Sequence, residues 1–187
     1  MAPALPAWAQ RLISEFDTAD WRSQSLATGL STVQLNWTPR QDAWRIGQCL
    51  QHLFMTNKVY LSAIEASLTG RQPSRVCEIT PGGFSRWFIR NYIAPSSRSK
   101  RARAPKKIEP CADVKPSILE SFLSSNKVAR QLVQSASDYN VNRIRFKNPF
   151  VPLLRFTVGT GLEIVAKHQD RHLLQAERVK QHPEFPK

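Results

Sequence analysis

Apolar residues recur at helical spacing along four stretches of the chain, and these stretches predict four long helices. In the first, about 6–30, Trp8, Leu12 and Phe16 stand four apart. The second covers about 42–68. Gln51, Lys58 and Glu65, seven apart, mark its wet face, and Cys49, Leu53, Thr56 and Tyr60 lie opposite. Asp42 is placed to accept hydrogen bonds from its free first-turn amides, and Gly70 stands where such a helix would stop. The third, about 116–139, opens on Pro116, whose missing N–H costs nothing at a first helical position. Its apolar stripe is Ile118, Phe122, Ala129, Val133 and Ala136. The fourth, about 151–181, is weakened in its opening turns by Gly159 and Gly161.

No stretch alternates in the manner of a sheet strand, and no internal repeat occurs. Four long helices in one domain over 1–187 predict an all-α fold, a four-helix bundle. The connection between the second and third helices, about 69–115, is too long for a plain loop. Within it, 84–93 predicts a short amphipathic helix packed on the bundle, and about 95–115 reads as a basic, proline-punctuated loop.

Composition narrows the class. A chain of 187 residues, 41% of them hydrophobic, builds one full core, whereas two would be cramped. No apolar run reaches bilayer length, so no membrane partner is expected. The first residues lack a secretory pattern, which makes a cytoplasmic protein the default. Cys49, Cys77 and Cys111 are odd in number and form no CxxC pair, which argues against a thiolate zinc site or a redox dithiol. The net charge of +13 invites a nucleic-acid reading. Arg98, Lys100, Arg101, Arg103, Lys106 and Lys107 concentrate much of it in one short segment, however, and such a segment is usually a solvated linker.

The four histidines carry more information than the charge. His168 and His172, spaced i, i+4, share one helix face a turn apart. Gly161, Val165, Ala176 and Val179 lie on that face, while Lys167, Asp170, Arg171, Glu177 and Arg178 fall elsewhere. The pair therefore points into the bundle, where an unpartnered imidazole is costly. His52 lies away from the wet face of its helix and also points inward. Three ring nitrogens from two helices could surround one divalent ion. Neutral imidazole suits Zn²⁺, Ni²⁺, Co²⁺ or Fe²⁺, and three protein ligands leave a position for water or substrate. The same spacing fits histidines that hydrogen-bond one another, buried backbone groups or water. Cys49, three residues before His52, is within reach of such a site but reads first as a small buried side chain. His182, near the end of the chain, reads as a surface residue.

The segment Trp37-Thr-Pro-Arg-Gln-Asp-Ala-Trp44-Arg-Ile-Gly-Gln-Cys-Leu-Gln-His52-Leu53 resembles the W-x-P…W-S-I-x-[EQ]-x-L-x-H-L signature of the DinB/YfiT-like superfamily, with Arg45 where Ser or Thr is usual. The closing His168-Gln-Asp-Arg-His172-Leu-Leu-Gln175 resembles that family's H-x-x-x-H-x-x-Q ending, and the stretch 104–110 resembles its proline-and-basic segment before the third helix. The resemblance extends over most of the chain and implies a four-helix bundle of DinB/YfiT type. It implies metal ligands at His52, His168 and His172, an ion that is often zinc or nickel, and a homodimer. It also implies that the charge run is a family loop rather than a nucleic-acid arm. Characterised members include S-transferases and isomerases that use low-molecular-weight thiols (bacillithiol, mycothiol or glutathione).

Supporting groups follow from offsets. Gln48, four before His52, and Gln175, three after His172, are candidates to orient an imidazole or hold a water, unless they are ordinary helix-surface glutamines. Trp44 either walls the site or belongs to the core. Asp170 and Glu163 lie off the histidine face, so no catalytic acid or base is assigned. The leading expectation is a metal-dependent enzyme acting on a small-molecule substrate, with the ion activating a thiol for S-transfer or, next, a water for hydrolysis. The alternative is a non-catalytic metal-binding protein whose basic loop contacts an acidic partner or nucleic acid.

Overall fold

The computed structural model describes residues 4–95, 104–151 and 153–187. Four long helices dominate it: α1 (Ala7–Ala27), α3 (Ile46–Leu68), α5 (Ile118–Ala136) and α6 (Val158–Lys180), with short helices α2 (Thr32–Leu35) and α4 (Gly83–Phe88) between them. A π-turn, Ile89–Ile93, continues α4, and a 3₁₀ turn, Lys106–Ile108, precedes α5. α1 and α3 each pack against both α5 and α6, so the four long helices enclose a common interior. The fold is all-α apart from one small hairpin. No helix among the described residues is long and apolar enough to cross a membrane.

The interior has two apolar layers. One gathers Trp8, Leu12 and Phe16 of α1 with Ile64, Val133, Leu162 and Val165. The other gathers Leu26 with Leu50, Leu53, Phe122 and Leu173. Between them lies a largely buried polar layer to which each long helix contributes. Gln169 donates to the side-chain oxygens of Asn57 (3.1 Å) and Asn126 (2.7 Å). Asn57 donates to Asn126 and to Ser125 at 2.9 Å each. Asn126 donates to Asp20 at 2.7 Å, whose other oxygen takes Arg130. Buried amides need partners, and here they supply one another across the helices, except that Oε1 of Gln169 has none among the described residues.

Three expectations need correction. The second long helix begins at Ile46, not near residue 42. The Thr38 hydroxyl donates to the carbonyls of Arg40 and Ala43, closing a turn there, and Asp42 faces Arg40 at 3.5 Å instead of capping the helix. The fourth helix begins at Val158, with the Thr157 side chain accepting from the Thr160 amide. The stretch before it forms an antiparallel hairpin, β1 (Arg145–Lys147) with β2 (Arg155–Thr157), where no sheet was expected. Each strand is three residues long with a single buried phenylalanine, Phe146 or Phe156, too brief to register as an alternating pattern. Gly161 allows the hairpin to lie on α6: a Cβ there would meet the Phe146 ring at 2.5 Å.

The other expected helices stand within a few residues of their expected limits. Gly70 takes φ +72° just beyond α3, the left-handed geometry that ends a helix. The expected amphipathic helix at 84–93 is α4 and its π-turn, held to the body by Phe88 against Phe156, ring centres 5.3 Å apart. Of the basic loop, Arg98, Lys100, Arg101 and Arg103 lie outside the described residues. Lys106 and Lys107 are exposed on the 3₁₀ turn while Ile108 beside them is buried.

Candidate metal centre

α3 and α6 bring the three inward histidines together. The ring centres of His52 and His168 are 5.0 Å apart, those of His52 and His172 4.8 Å, and those of His168 and His172 4.5 Å. One nitrogen from each ring lies within 4.8 Å of the other two, and this is the one such group of histidine, cysteine or carboxylate ligands among the described residues. The cluster sits level with the polar layer, and Gln169 of that layer follows His168 directly in the chain.

Two of the rings are held from behind. The Nδ1 of His52 donates to the carbonyl oxygen of Ile108 at 2.8 Å, and the Nδ1 of His172 donates to Oε1 of Gln175 at 3.0 Å. A proton on Nδ1 leaves the Nε2 lone pair of each ring free to point at the cluster. Gln48 does not take the supporting role expected of it. Its Oε1 accepts from the Arg45 amide at the start of α3, and its Nε2 donates to the Cys111 carbonyl at 3.1 Å. The support of His52 comes instead from a backbone carbonyl fifty-six positions away.

Burial sets the charge state. Desolvation lowers His52 from its usual range despite the opposing bond to Ile108, and it lowers His168 well below that range. His172 falls to about 3 through burial and the neighbouring His52 and Arg171. All three rings are therefore neutral near pH 7, the state in which imidazole is a ligand.

The residues fit a divalent ion. The Nε2 atoms of His52 and His168 are 3.3 Å apart. Two nitrogens on one tetrahedral zinc, each at about 2.0–2.1 Å, are separated by about 3.3 Å. Both readings of the histidines meet here, since the rings also hydrogen-bond a backbone carbonyl and approach one another. The carbonyl and Gln175 engage Nδ1 and leave Nε2, so the two readings are compatible.

Around the cluster, Trp44 both walls the cavity and packs against the second apolar layer. It is partly exposed, stacks on His172 at 5.3 Å with planes 25° apart, and leans on His52 at 4.8 Å. Cys49 is fully buried in an apolar layer, and burial pushes its thiol up to about 12, so it is neither ligand nor nucleophile. Glu163 pairs with Arg11 and Asp170 with Arg22, both away from the histidines. His182 is half-buried against Trp37, ring centres 5.4 Å apart. The histidines open on a cavity of about 360 Å³ whose wall includes Thr56, Tyr60, Phe150 and Arg171. Among the described residues no carboxylate lines it. The Thr56 hydroxyl is buried without a hydrogen-bond partner among the described residues.

Comparison with known proteins adds one finding. A family model, that of the DinB superfamily, matches residues 15–176, a span that includes His52, His168 and His172. No curated protein and no solved structure matches the chain.

Proposed function

The chain belongs to the DinB superfamily, and from that membership and its three converging imidazoles we propose that it is a divalent-metal-dependent enzyme acting on a small molecule. Zinc or nickel is the proposed ion, held by His52, His168 and His172. When bound, such an ion lowers the pKa of a thiol or water brought against it, giving a nucleophile near neutral pH. S-transfer from a low-molecular-weight thiol is the favoured reaction and hydrolysis the next.

The chain's own residues have separate tasks in this reading. Ile108 and Gln175 fix the tautomers of two ligands. Burial keeps the imidazoles unprotonated. Trp44 covers two of the rings and keeps water from that side. The single observation that carries the proposal is the 3.3 Å between ring nitrogens of two different helices, His52 buried and His168 half-buried.

Elemental analysis of protein purified without an affinity tag tests it. The expected result is about one divalent ion per chain, lost in His168→Ala with helicity retained. Substoichiometric metal, unrestored by adding zinc or nickel, would remove the proposal. The non-catalytic alternative draws on the absence of a carboxylate in the described cavity wall. In a cobalt-substituted form, a visible spectrum that shifts on adding a small thiol favours the enzyme, and one that stays unchanged favours the alternative.

A further inference from the structure

The hairpin before α6 carries its charged and its apolar residues in separate places. Phe146 and Phe156 stand opposite each other in the register and are buried, so their neighbours along each strand turn the other way. Those neighbours include Arg145, Lys147 and Arg155, and all three are exposed. Lys147 lies directly opposite Arg155, a like-charge pair that weakens a sheet unless an anion neutralises it. None of the three cations forms an ion pair among the described residues. The chain has no acidic residue between Asp138 and Glu163, and these two pair with Arg75 and Arg11.

Beyond that pair the turn is apolar. Leu153 is fully exposed at φ +66°, a left-handed backbone that a bulky side chain adopts only at a cost, and Val151 is 43% exposed. The turn is nevertheless firmly built around Asn148. Its Oδ1 accepts from the amides of Phe150 and Val151 at 2.8 and 2.9 Å, and its side-chain nitrogen donates to the Tyr60 hydroxyl at 2.8 Å. Its backbone amide donates to the Leu154 carbonyl at 2.8 Å. The fold thus holds an aliphatic tip out in water, one step beyond a cluster of unpaired cations. Beside the hairpin, α4 exposes two more apolar rings: Trp87, and Phe84, which stacks over Phe156 with ring centres 6.4 Å apart.

We propose that the hairpin tip docks the protein on an anionic lipid bilayer, with Val151 and Leu153 entering the acyl boundary and Arg145, Lys147 and Arg155 meeting lipid phosphates. Two peptide steps separate Arg155 from Leu153, at most about 7 Å of extended chain. A peripheral apolar surface sinks about 5–10 Å into the headgroup and acyl boundary, so one placement serves both groups. Phosphates relieve the repulsion between Lys147 and Arg155, and the net charge of +13 draws the chain to an anionic surface. The rings of Phe84 and Trp87 suit the headgroup level. A nucleic acid offers the same phosphates, but its bases are held by stacked rings or hydrogen bonds, and the aliphatic tip provides neither. Docking of this kind departs from the expectation of no membrane partner, yet it needs no spanning helix, and the described residues contain none. It is independent of the metal chemistry proposed above.

Co-sedimentation of the full chain with lipid vesicles tests it. The protein is expected to bind vesicles of phosphatidylcholine with about one-third phosphatidylglycerol at least about tenfold more tightly than phosphatidylcholine alone, and to be released by salt. Leu153→Asn suits the left-handed backbone, so it should keep the fold and still weaken binding to anionic vesicles by about tenfold or more. Lys147→Gln with Arg155→Gln should weaken it by a similar factor. Lys115→Gln with Lys127→Gln, exposed and outside the hairpin, should stay within about twofold of the wild type. Thermal unfolding of each variant checks that it is folded. No binding to anionic vesicles, unchanged binding by Leu153→Asn, or equal losses from the two paired substitutions would overturn the proposal. Tighter binding to single-stranded DNA than to anionic vesicles would overturn it in favour of a nucleic acid. A dimer in solution that Leu153→Asn dissolves would overturn it in favour of a second copy of this chain.

Discussion

Gln175 holds His172 from behind: its Oε1 accepts the Nδ1 proton of that ring at 3.0 Å, from one turn further along α6. A lost support of this kind typically costs a metal ligand about ten- to a hundredfold in affinity. Gln175→Leu is therefore expected to weaken zinc by that factor in a competition titration with a chromophoric chelator. Gln48→Leu should leave zinc affinity unchanged, because that side chain serves the start of α3 and the Cys111 carbonyl. It should instead lower stability by about 1 kcal/mol. Equal effects of the two variants on zinc would contradict this division of labour.

Stability of the metal-free protein should fall as the pH drops below the usual histidine range. An unfolded imidazole takes up its proton near pH 6.5, while His52, His168 and His172 resist protonation in the folded state, His172 down to about 3. Between those limits the unfolded state binds more protons, so acid favours unfolding, and above about pH 6.5 this contribution is level. Urea midpoints should thus be flat above neutrality and decline from about pH 6.5 to about pH 5.5, and His172→Gln should flatten the decline. A midpoint that rises on acidification would show that the buried rings gain protons on folding.

Thr56→Val removes a hydroxyl that is buried with no partner among the described residues while keeping the shape of the side chain. Leaving a polar group unsatisfied costs about 1–3 kcal/mol, so the substitution should stabilise the protein by about 1 kcal/mol in equilibrium urea unfolding. A loss of stability would mean that the hydroxyl has a partner after all, a bound water being the simplest.

Gly161→Ala should destabilise by about 1–3 kcal/mol, since the new methyl overlaps the Phe146 ring and overpacking costs that much. Thermal unfolding measures it. Gly161→Ala combined with Phe146→Leu should recover part of the loss, and failure of that rescue would locate the cost in the helix instead of the hairpin contact.

How far these relationships could be read from the chain alone differs from residue to residue. His168 and His172 announce themselves, because an i, i+4 pair on a face shared with Val165 and Ala176 turns inward together, His172 buried and His168 half-buried. Gln175 was legible for the same reason, being one turn on. Gln48 sits at an equally suggestive offset from His52, yet the start of α3 claims it, and helix starts are set by local turns such as that of Thr38, which periodicity does not sense. The Ile108 carbonyl left no trace, since any residue has a carbonyl and only the folded loop aims this one. Asn57, Asn126 and Gln169 carry no signal in the sequence, because an amide on a helix reads as a solvent-facing residue until its partners on the other helices stand beside it.

That amide layer has a consequence for how the sequence can change. Asp20, Asn57, Asn126 and Gln169 are hydrogen-bonded across four helices as a set, so replacing any single member with an aliphatic residue strands its partners, while replacing all of them together displaces only Arg130, which already has Asp17 at 3.3 Å as a second acceptor. Single substitutions descend into a valley that a concerted exchange would avoid. The layer also works as an alignment key: sliding any one helix by a turn would face amides with leucines, which fixes the height at which α3 and α6 present their histidines to each other.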